Sequence, residues 1–279
     1  ALSGTNVIEP SPSSTPVIPD AETPCPALRH KAFTLIELLI AVAIIGLLMA
    51  ILLPMLGAAV EHARCIQCCN NLRQMATAMQ LYLKENKGFF PPAYQVQMTG
   101  GVFRSVAWDF VSVKDWAHGG KESVTVGLLW QGRLTEPSEV HQCPSFDGAH
   151  NWLSDPFTGY NYNTDYLGSP ACRVNLSRVR HPARCAMFGD AGYASGSNKF
   201  MRAPFPPPDK YDDGLSPAGR AAGTQAFRHL GRTNVAFVDG HVESLDQMYT
   251  DTDPAAAGSI APDTGFLSPD NSLYSLSGH

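Results

Sequence analysis

Ala32-Phe33-Thr34-Leu35-Ile36-Glu37 opens the stretch on which the reading of this chain turns, and an apolar run from Leu38 to Leu56 follows it. Between Leu38 and Leu53 no side chain is charged or strongly polar. At about 1.5 Å of rise per helical residue, Phe33 to Leu56 would span roughly 36 Å, enough to cross a hydrocarbon core with some tilt. Gly46 and Pro54 are compatible with such a helix, because lipid offers the backbone no competing conformation that satisfies its polar groups. Arg29, His30 and Lys31 flank the run on its N-terminal side, and residues 1–28 hold no Lys or Arg. The positive-inside rule then predicts a cytoplasmic N-terminus and export of everything after Pro54.

Glu37 is out of place in this run. An ionised carboxylate at the edge of an apolar segment is costly without a partner, and the sequence offers no nearby cation on the same face. An α-amine made by cutting the chain before Phe33 would be such a partner. Phe33, Thr34, Leu35, Ile36 and Glu37 resemble the class III signal of type IV prepilins and type II secretion pseudopilins. The resemblance implies that a prepilin peptidase cleaves between Ala32 and Phe33 and methylates the new N-terminus. It also implies that Glu37 serves assembly and that Pro54 stands where pilins often kink. Two departures are Ala32 in place of the usual Gly, a small residue that should still fit the cleavage site, and a leader that is long. An ordinary signal anchor is the competing reading; a conventional signal peptide fits worse, since no small-residue cleavage site follows the run.

The chain has 279 residues and a net charge of −5, which indicates no general affinity for nucleic acid. Its length suits one membrane-anchored domain of ordinary size. Residues 1–32 place Pro10, Pro12, Pro16, Pro19, Pro24 and Pro26 among Ser and Thr, and read as a disordered cytoplasmic leader. Residues 33–56 read as the membrane-spanning half of a helix, and 57–88 as its amphipathic half. There Cys65, Cys68, Leu72, Met75, Met79 and Tyr82 recur at gaps of three and four. Glu61, Arg64, Arg73, Gln74, Gln80 and Lys84 fill the polar face. Gly88 is expected at the C′ position, with Pro91-Pro92 forbidding continuation.

Such a stripe needs a sheet to pack on, and residues 89–249 are expected to supply it as an exported β-rich domain with long loops. The fold class is therefore α+β, pilin-like: a long N-terminal helix on a small antiparallel sheet. Gly101–Val106 and Val124–Trp130 are candidate strands, and Leu128–Leu134 reads as a short helix or turn. Tyr160–Asn163 is either an edge strand or an ordered loop. Cys185–Phe188 is a short apolar strand ending at Gly189-Asp190. Residues 195–223 look too long and polar to be core, and 250–279 read as a loosely ordered tail. Thr233–Val238 and His241–Leu245 flank Asp239-Gly240, a hairpin signal of the type I′ kind.

Cys68-Cys69-Asn70-Asn71-Leu72-Arg73-Gln74, Phe90-Pro91-Pro92, Cys143-Pro144 and His229-x9-Asp239-Gly240 together resemble a prepilin-type family named for its H-x9-D-G motif. Asp190, Arg228, Asn234 and His241 also match residues expected beside that motif. As chemistry, Asp190, His229, Asp239 and His241 would suit a divalent metal ion, two imidazoles and two carboxylates. The alternative is purely structural: Asp239-Gly240 shapes a hairpin while Arg228 and His229 tie loops by hydrogen bonds. Asp209, Asp212, Asp213, Asp251 and Asp253 offer oxygen ligands for calcium, which the related pseudopilins bind in a C-terminal loop, but their spacing is not that of an EF-hand. No phosphate loop, nucleophile elbow or HExxH motif is present, so no enzyme is expected.

Cleavage before Phe33 removes Cys25 of the seven cysteines, leaving an even number in an exported domain where disulfides persist. Connectivity is not readable from sequence. A Cys68–Cys143 bridge is the expected one, fixing helix to domain and contributing roughly 4 kcal/mol in the chain-entropy model. Cys65 and Cys68 have C-x-x-C spacing without a following His, which argues against haem; zinc on Cys65, Cys68 and Cys69 is another use. The resulting expectation is a structural subunit of the bacterial inner membrane that assembles with other pilin-like subunits into a pilus or pseudopilus. A membrane-anchored, exported ligand- or glycan-binding protein is the runner-up, and an anchored hydrolase at His229 and Asp239 trails.

Overall fold

The computed structural model describes residues 33–134, 136–146, 155–169, 172–193, 196–207 and 215–278. Residues 1–32, the expected leader, lie outside them. Two compact units divide the chain, residues 1–50 and 51–279. The architecture is α+β, as expected, and consistent with a pilin-like fold.

Helix α1 runs from Leu35 to Glu85 and passes through Pro54 without a break. From Phe33 to Leu56 every Phe, Leu, Ile, Val and Met exposes more than half of its surface. Side chains of this kind are stable only when something other than water covers them, and the helix has the length and apolar composition of a membrane span. Beyond Glu61 the helix becomes one-sided. Cys68, Leu72, Met75, Met79 and Tyr82 are buried, as the spacing predicts, joined by Asn71, Ala76, Ala78 and Leu83.

The end of α1 is a Schellman motif set one residue away from expectation. The Gly88 amide donates to Leu83 O at 2.7 Å, and both Lys87 (φ 55°) and Gly88 (φ 80°) are left-handed. Lys87 therefore takes the C′ position and Gly88 the next. Gly88 has a second constraint, since a Cβ there would lie 3.1 Å from Asn175 Nδ2.

Four strands follow as an antiparallel meander: β1 (Tyr94–Thr99), β2 (Val102–Ala107), β3 (Phe110–Asp115) and β4 (Lys121–Val126). Gly100 (φ 58°) and Gly101 (φ 81°) make the two-residue turn between β1 and β2, with positive φ at both positions as a type I′ turn requires. The second sheet has the order β10-β9-β6-β5-β7, built from β5 (Tyr160–Asn163), β6 (Ala186–Asp190), β7 (Phe200–Met201), β9 (Thr233–Phe237) and β10 (Val242–Leu245). Only β5 and β7 pair in parallel. The stripe of α1 packs with Trp108, Leu129, Trp130, Tyr162, Phe188 and Val238 in one core that draws on both sheets.

Four expectations need correction. Strand β5 is no edge strand: it lies between β6 and β7, and all four of its residues are buried. The β9–β10 hairpin forms, but its turn is not type I′. Gly240 alone is left-handed (φ 97°), and its amide donates to Phe237 O at 2.9 Å. That is the three-residue loop in which a turn is followed by a left-handed Gly.

The segment 195–223, expected to be polar loop, contributes β7 and the short helix α2 (Pro217–Ala221). Its charges are buried because they are paired. Lys199 Nζ meets Asp109 at 2.9 Å and Asp155 at 2.6 Å, and Arg220 meets Asp165 at 2.9 Å. Burial pushes Asp155 up to about 7, with Asp109 adding to the push and Lys199 opposing it.

The segment 250–278 is not a loose tail. Helix α3 (Pro254–Ala257) leads to β11 (Thr264–Gly265), which pairs with β8 (Gln225–Ala226). Phe266, Leu267 and Tyr274 then close a second core with Tyr166, Ala186, Met201, Val235 and Phe237. A few large side chains suffice here, which a low apolar count conceals. Replacing Phe266, fully buried, by Ala should cost about 3–5 kcal/mol. The denaturant midpoint of the detergent-solubilised chain measures it; a loss within about 0.5 kcal/mol, ordinary for a surface position, would mean that the segment is loose after all.

Candidate functional site

Two places gather the residues singled out above. The first is the start of α1. Thr34 is its N-cap: its carbonyl accepts the Leu38 amide at 3.2 Å, and its Oγ accepts the Glu37 amide at 3.3 Å. Glu37 reaches back, accepting the Thr34 amide at 2.9 Å and the Thr34 hydroxyl at 2.8 Å. This is a reciprocal capping box, and it satisfies donors that a helix start otherwise leaves open. Glu37, which lacks a cation in the sequence, thus has partners in its own chain.

The second place is buried where α1 meets the sheets. Asp190, the last residue of β6, is fully buried. It accepts the Asn234 amide of β9 at 2.8 Å and the Cys68 thiol of α1 at 3.0 Å, and His229 Nε2 stands 3.3 Å away. Cys143 Sγ lies 3.5 Å from the same Nε2. The other ring nitrogen, Nδ1, is 2.9 Å from Glu61 Oε1, which also accepts the Ser145 hydroxyl.

Local structure explains each placement. His229 begins a two-residue turn closed by reciprocal 3.1 Å bonds with Arg232, with Leu230 (φ 54°) and Gly231 (φ 80°) both left-handed. The loop carrying Cys143 is clamped to α1 by Asn71, whose amide donates to Gln142 O at 3.1 Å. Gly159 lets that loop approach β5, since a Cβ there would lie 2.9 Å from the Cys143 Cβ. Arg228 donates to the carbonyls of Gly159 and Ala191 and covers Phe146 at 5.0 Å, with its charge beside Cys143 and Asp190.

Charge is arranged to match. Burial works against ionised Asp190, but the hydrogen bond to His229, the Arg228 charge and the Asn234 amide hold its carboxyl below the usual range. Burial also works against protonated His229, yet Asp190 and Cys143 lift its imidazole to about 11. For Cys143, burial and Asp190 push upward, while Cys68, His229 and Arg228 bring the thiol down to about 6. Cys68 moves the other way, pushed well up by burial, Cys143 and Asp190.

Residues 28–53 match the family model described as the prokaryotic N-terminal methylation motif. The chain carries a prepilin-type methylation motif. No curated protein and no solved structure matches it. The matched residues cover the capping box and most of the exposed apolar half of α1. Ala32, on the leader side of the expected cut, lies outside the described residues, as do Asp209, Asp212 and Asp213. Phe33 precedes the capped turn and is exposed.

The expected metal quartet does not assemble as a quartet. Asp190 and His229 come together, but Asp239 and His241 sit at the β9–β10 turn. There the His241 amide and ring bond the Asp239 carboxylate at 3.1 and 2.6 Å, with both side chains about 40 % exposed. Hairpin geometry forces this split, because the Asp-Gly turn points away from the end of β6. Cys68 and Cys143 do meet, as free thiols within a four-group polar cluster and not as an isolated sulfur pair. Cys65 and Cys69 stay outside that cluster. Asp253 caps α3 by accepting the Ala255 amide at 2.9 Å. Glu61 was missed, although it precedes Cys65 by four and Cys68 by seven residues and so extends their stripe.

Burial makes the cysteines unequal. Cys172 is exposed, whereas Cys185 is buried, donates to Tyr274 O at 3.4 Å, and is pushed up to about 12 by burial. Alkylation of the native chain, read by peptide mass, should label Cys172 first and leave Cys68, Cys143 and Cys185 unmodified until unfolding. Labelling of Cys185 as fast as Cys172 would contradict the packing described.

Proposed function

We propose that this chain is a pilin-like structural subunit. Its apolar helix half inserts in the inner membrane with the N-terminus cytoplasmic and the domain exported. A prepilin peptidase cuts between Ala32 and Phe33 and methylates the new amine, and α1 then assembles with other pilin-like subunits into a pseudopilus or pilus. The role is structural and not catalytic, and the segment from His229 to Gly240 belongs to the processing-associated H-x9-D-G type of domain. The observation that carries this reading is the methylation motif over residues 28–53, set at the start of a helix whose apolar half is exposed on every side. An anchor alone needs neither the motif nor a carboxylate at its edge.

The capping box refines the part played by Glu37. Before assembly, the carboxylate is held by Thr34 in its own chain. In a bundle of apolar helices an unpaired carboxylate would cost several kcal/mol. The amine of Phe33 on a neighbouring subunit supplies a charge that Thr34 cannot, and this exchange of partners sets the axial stagger between subunits.

Mass spectrometry of the mature chain should find N-methylated Phe33 at its start; an uncut N-terminus would overturn the reading. Glu37→Gln separates charge from capping, since a Gln at this position still completes a capping box. Both Glu37→Gln and Glu37→Ala should insert normally, be cut normally and fail to assemble, judged by sheared-filament yield at equal expression. Assembly by Glu37→Gln but not by Glu37→Ala would reduce the residue to a cap, worth about 1 kcal/mol.

A further inference from the structure

We propose that Cys68, Cys143, Asp190 and His229 form a structural zinc site that fastens α1 to the exported domain. One ligand atom from each lies within 4.8 Å of the other three, and all four residues are buried. Zinc takes thiolate sulfur at about 2.3 Å and imidazole nitrogen or carboxylate oxygen at about 2.0–2.2 Å, which puts tetrahedral neighbours about 3.3–3.8 Å apart. The observed edges are close to that: 3.0 Å from Cys68 Sγ to Asp190 Oδ1, 3.3 Å from Asp190 Oδ2 to His229 Nε2, and 3.5 Å from His229 Nε2 to Cys143 Sγ. The first two edges end on different oxygens of one carboxylate, and all four ligand atoms lie within 4.8 Å of one another, so a rotation of that group and shifts of up to about 1 Å bring the four into register. Soft sulfur paired with imidazole and oxygen selects zinc over calcium or magnesium, which prefer oxygen alone.

The surroundings are those of a metal ligand set. A metal-bound imidazole has its second nitrogen held by a carboxylate, and His229 Nδ1 meets Glu61 at 2.9 Å. The Asp190 carboxylate is oriented by the Asn234 amide. Arg228 lies beside Cys143 and Asp190 and offsets the net negative charge that two thiolates, a carboxylate and a dication would leave. Tyr160 adds a further sign. It is buried beside Cys68, and apart from that sulfur its hydroxyl has no hydrogen-bond partner among the described residues. A metal-bound thiolate at Cys68 would give that hydroxyl an acceptor.

A Cys68–Cys143 disulfide is the rival use of the same sulfurs. It would remove the thiol that donates to Asp190 and leave Tyr160 without an acceptor, both in a place closed to water. Zinc binding forms two metal–sulfur bonds and one bond each to the His229 Nε2 and the Asp190 carboxylate, releases to solvent the protons that the thiols and Nε2 carry, and requires no oxidant.

The test uses the full chain, purified in detergent without chelators and with thiols kept reduced. Elemental analysis should find one zinc per chain. Exchange with cobalt(II) should give the intense visible bands of a tetrahedral site and a thiolate-to-metal charge-transfer band in the near ultraviolet. Cys143→Ser and His229→Gln should lose stoichiometric zinc, while Cys172→Ser and His241→Gln, outside the cluster, should keep it. Glu61→Gln should bind zinc about 10–100-fold more weakly without losing the tetrahedral cobalt spectrum. The cobalt spectrum of the unaltered chain decides the matter even if a ligand variant fails to fold. The proposal is overturned if the reduced chain neither contains nor takes up stoichiometric zinc, or if cobalt shows no thiolate band. Full zinc in Cys143→Ser overturns it too. So does a Cys68–Cys143 bridge found by peptide mapping of chain alkylated at the moment of isolation.

Discussion

A carboxylate without access to water governs this domain. Asp190 closes β6, and an ionised group so placed is stable only if donors surround it. Those donors come from separate parts of the chain: the thiol of Cys68 on α1, the amide of Asn234 on β9, and the imidazole of His229 on the turn before β9. No two neighbouring elements can satisfy it by themselves. The helix, the central strand and the turn must therefore be in place together, and an error in any of them exposes a charge to a low dielectric. The buried trio of Lys199, Asp109 and Asp155 repeats the principle between β7 and the β2–β3 turn.

Helix α1 presents two different surfaces along one continuous backbone. Up to Leu56 its apolar residues face outward on all sides, and beyond Glu61 only one stripe is covered by protein. Hydrophobicity drives both halves, but through different partners. Each end is closed by a specific device, a capping box at Thr34 and Glu37 and a Schellman motif at Lys87 and Gly88. The carboxylate at the first end already has partners within its own chain, in the amide and hydroxyl of Thr34.

Much of this was legible in the residues. The apolar run, the stripe from Cys68 to Tyr82 and the β9–β10 hairpin follow from periods of 3.6 and 2, which local sequence records directly. What escaped was set by distant partners. Tyr160–Asn163 alternates like an edge strand but is central, because β7 arrives from beyond β6 to cover it. Lys199 and Arg220 look like solvated loop charges until Asp109, Asp155 and Asp165 are seen opposite them. At the candidate site, Asp190, His229, Cys68 and Cys143 each stand out in the sequence, and the structure brings the four together. Grouping them was beyond the sequence: Asp239 and His241 are nearer along the chain to His229 but are carried off by the hairpin. Glu61 was hidden by its charge, which assigned it to the polar face despite its place on the stripe.

The position of the second core along the chain has a consequence in time. Ala186, Met201, Val235 and Phe237 are covered by Phe266, Leu267 and Tyr274, which leave the ribosome after every other core element. Domains ordinarily begin to fold as they are synthesised, N-terminal parts first. Here one face of the central sheet stays uncovered until these late residues arrive. A chain left uncovered for that long is still short of its closed form, which is the state a protein must keep if it is to be moved across a membrane before it closes.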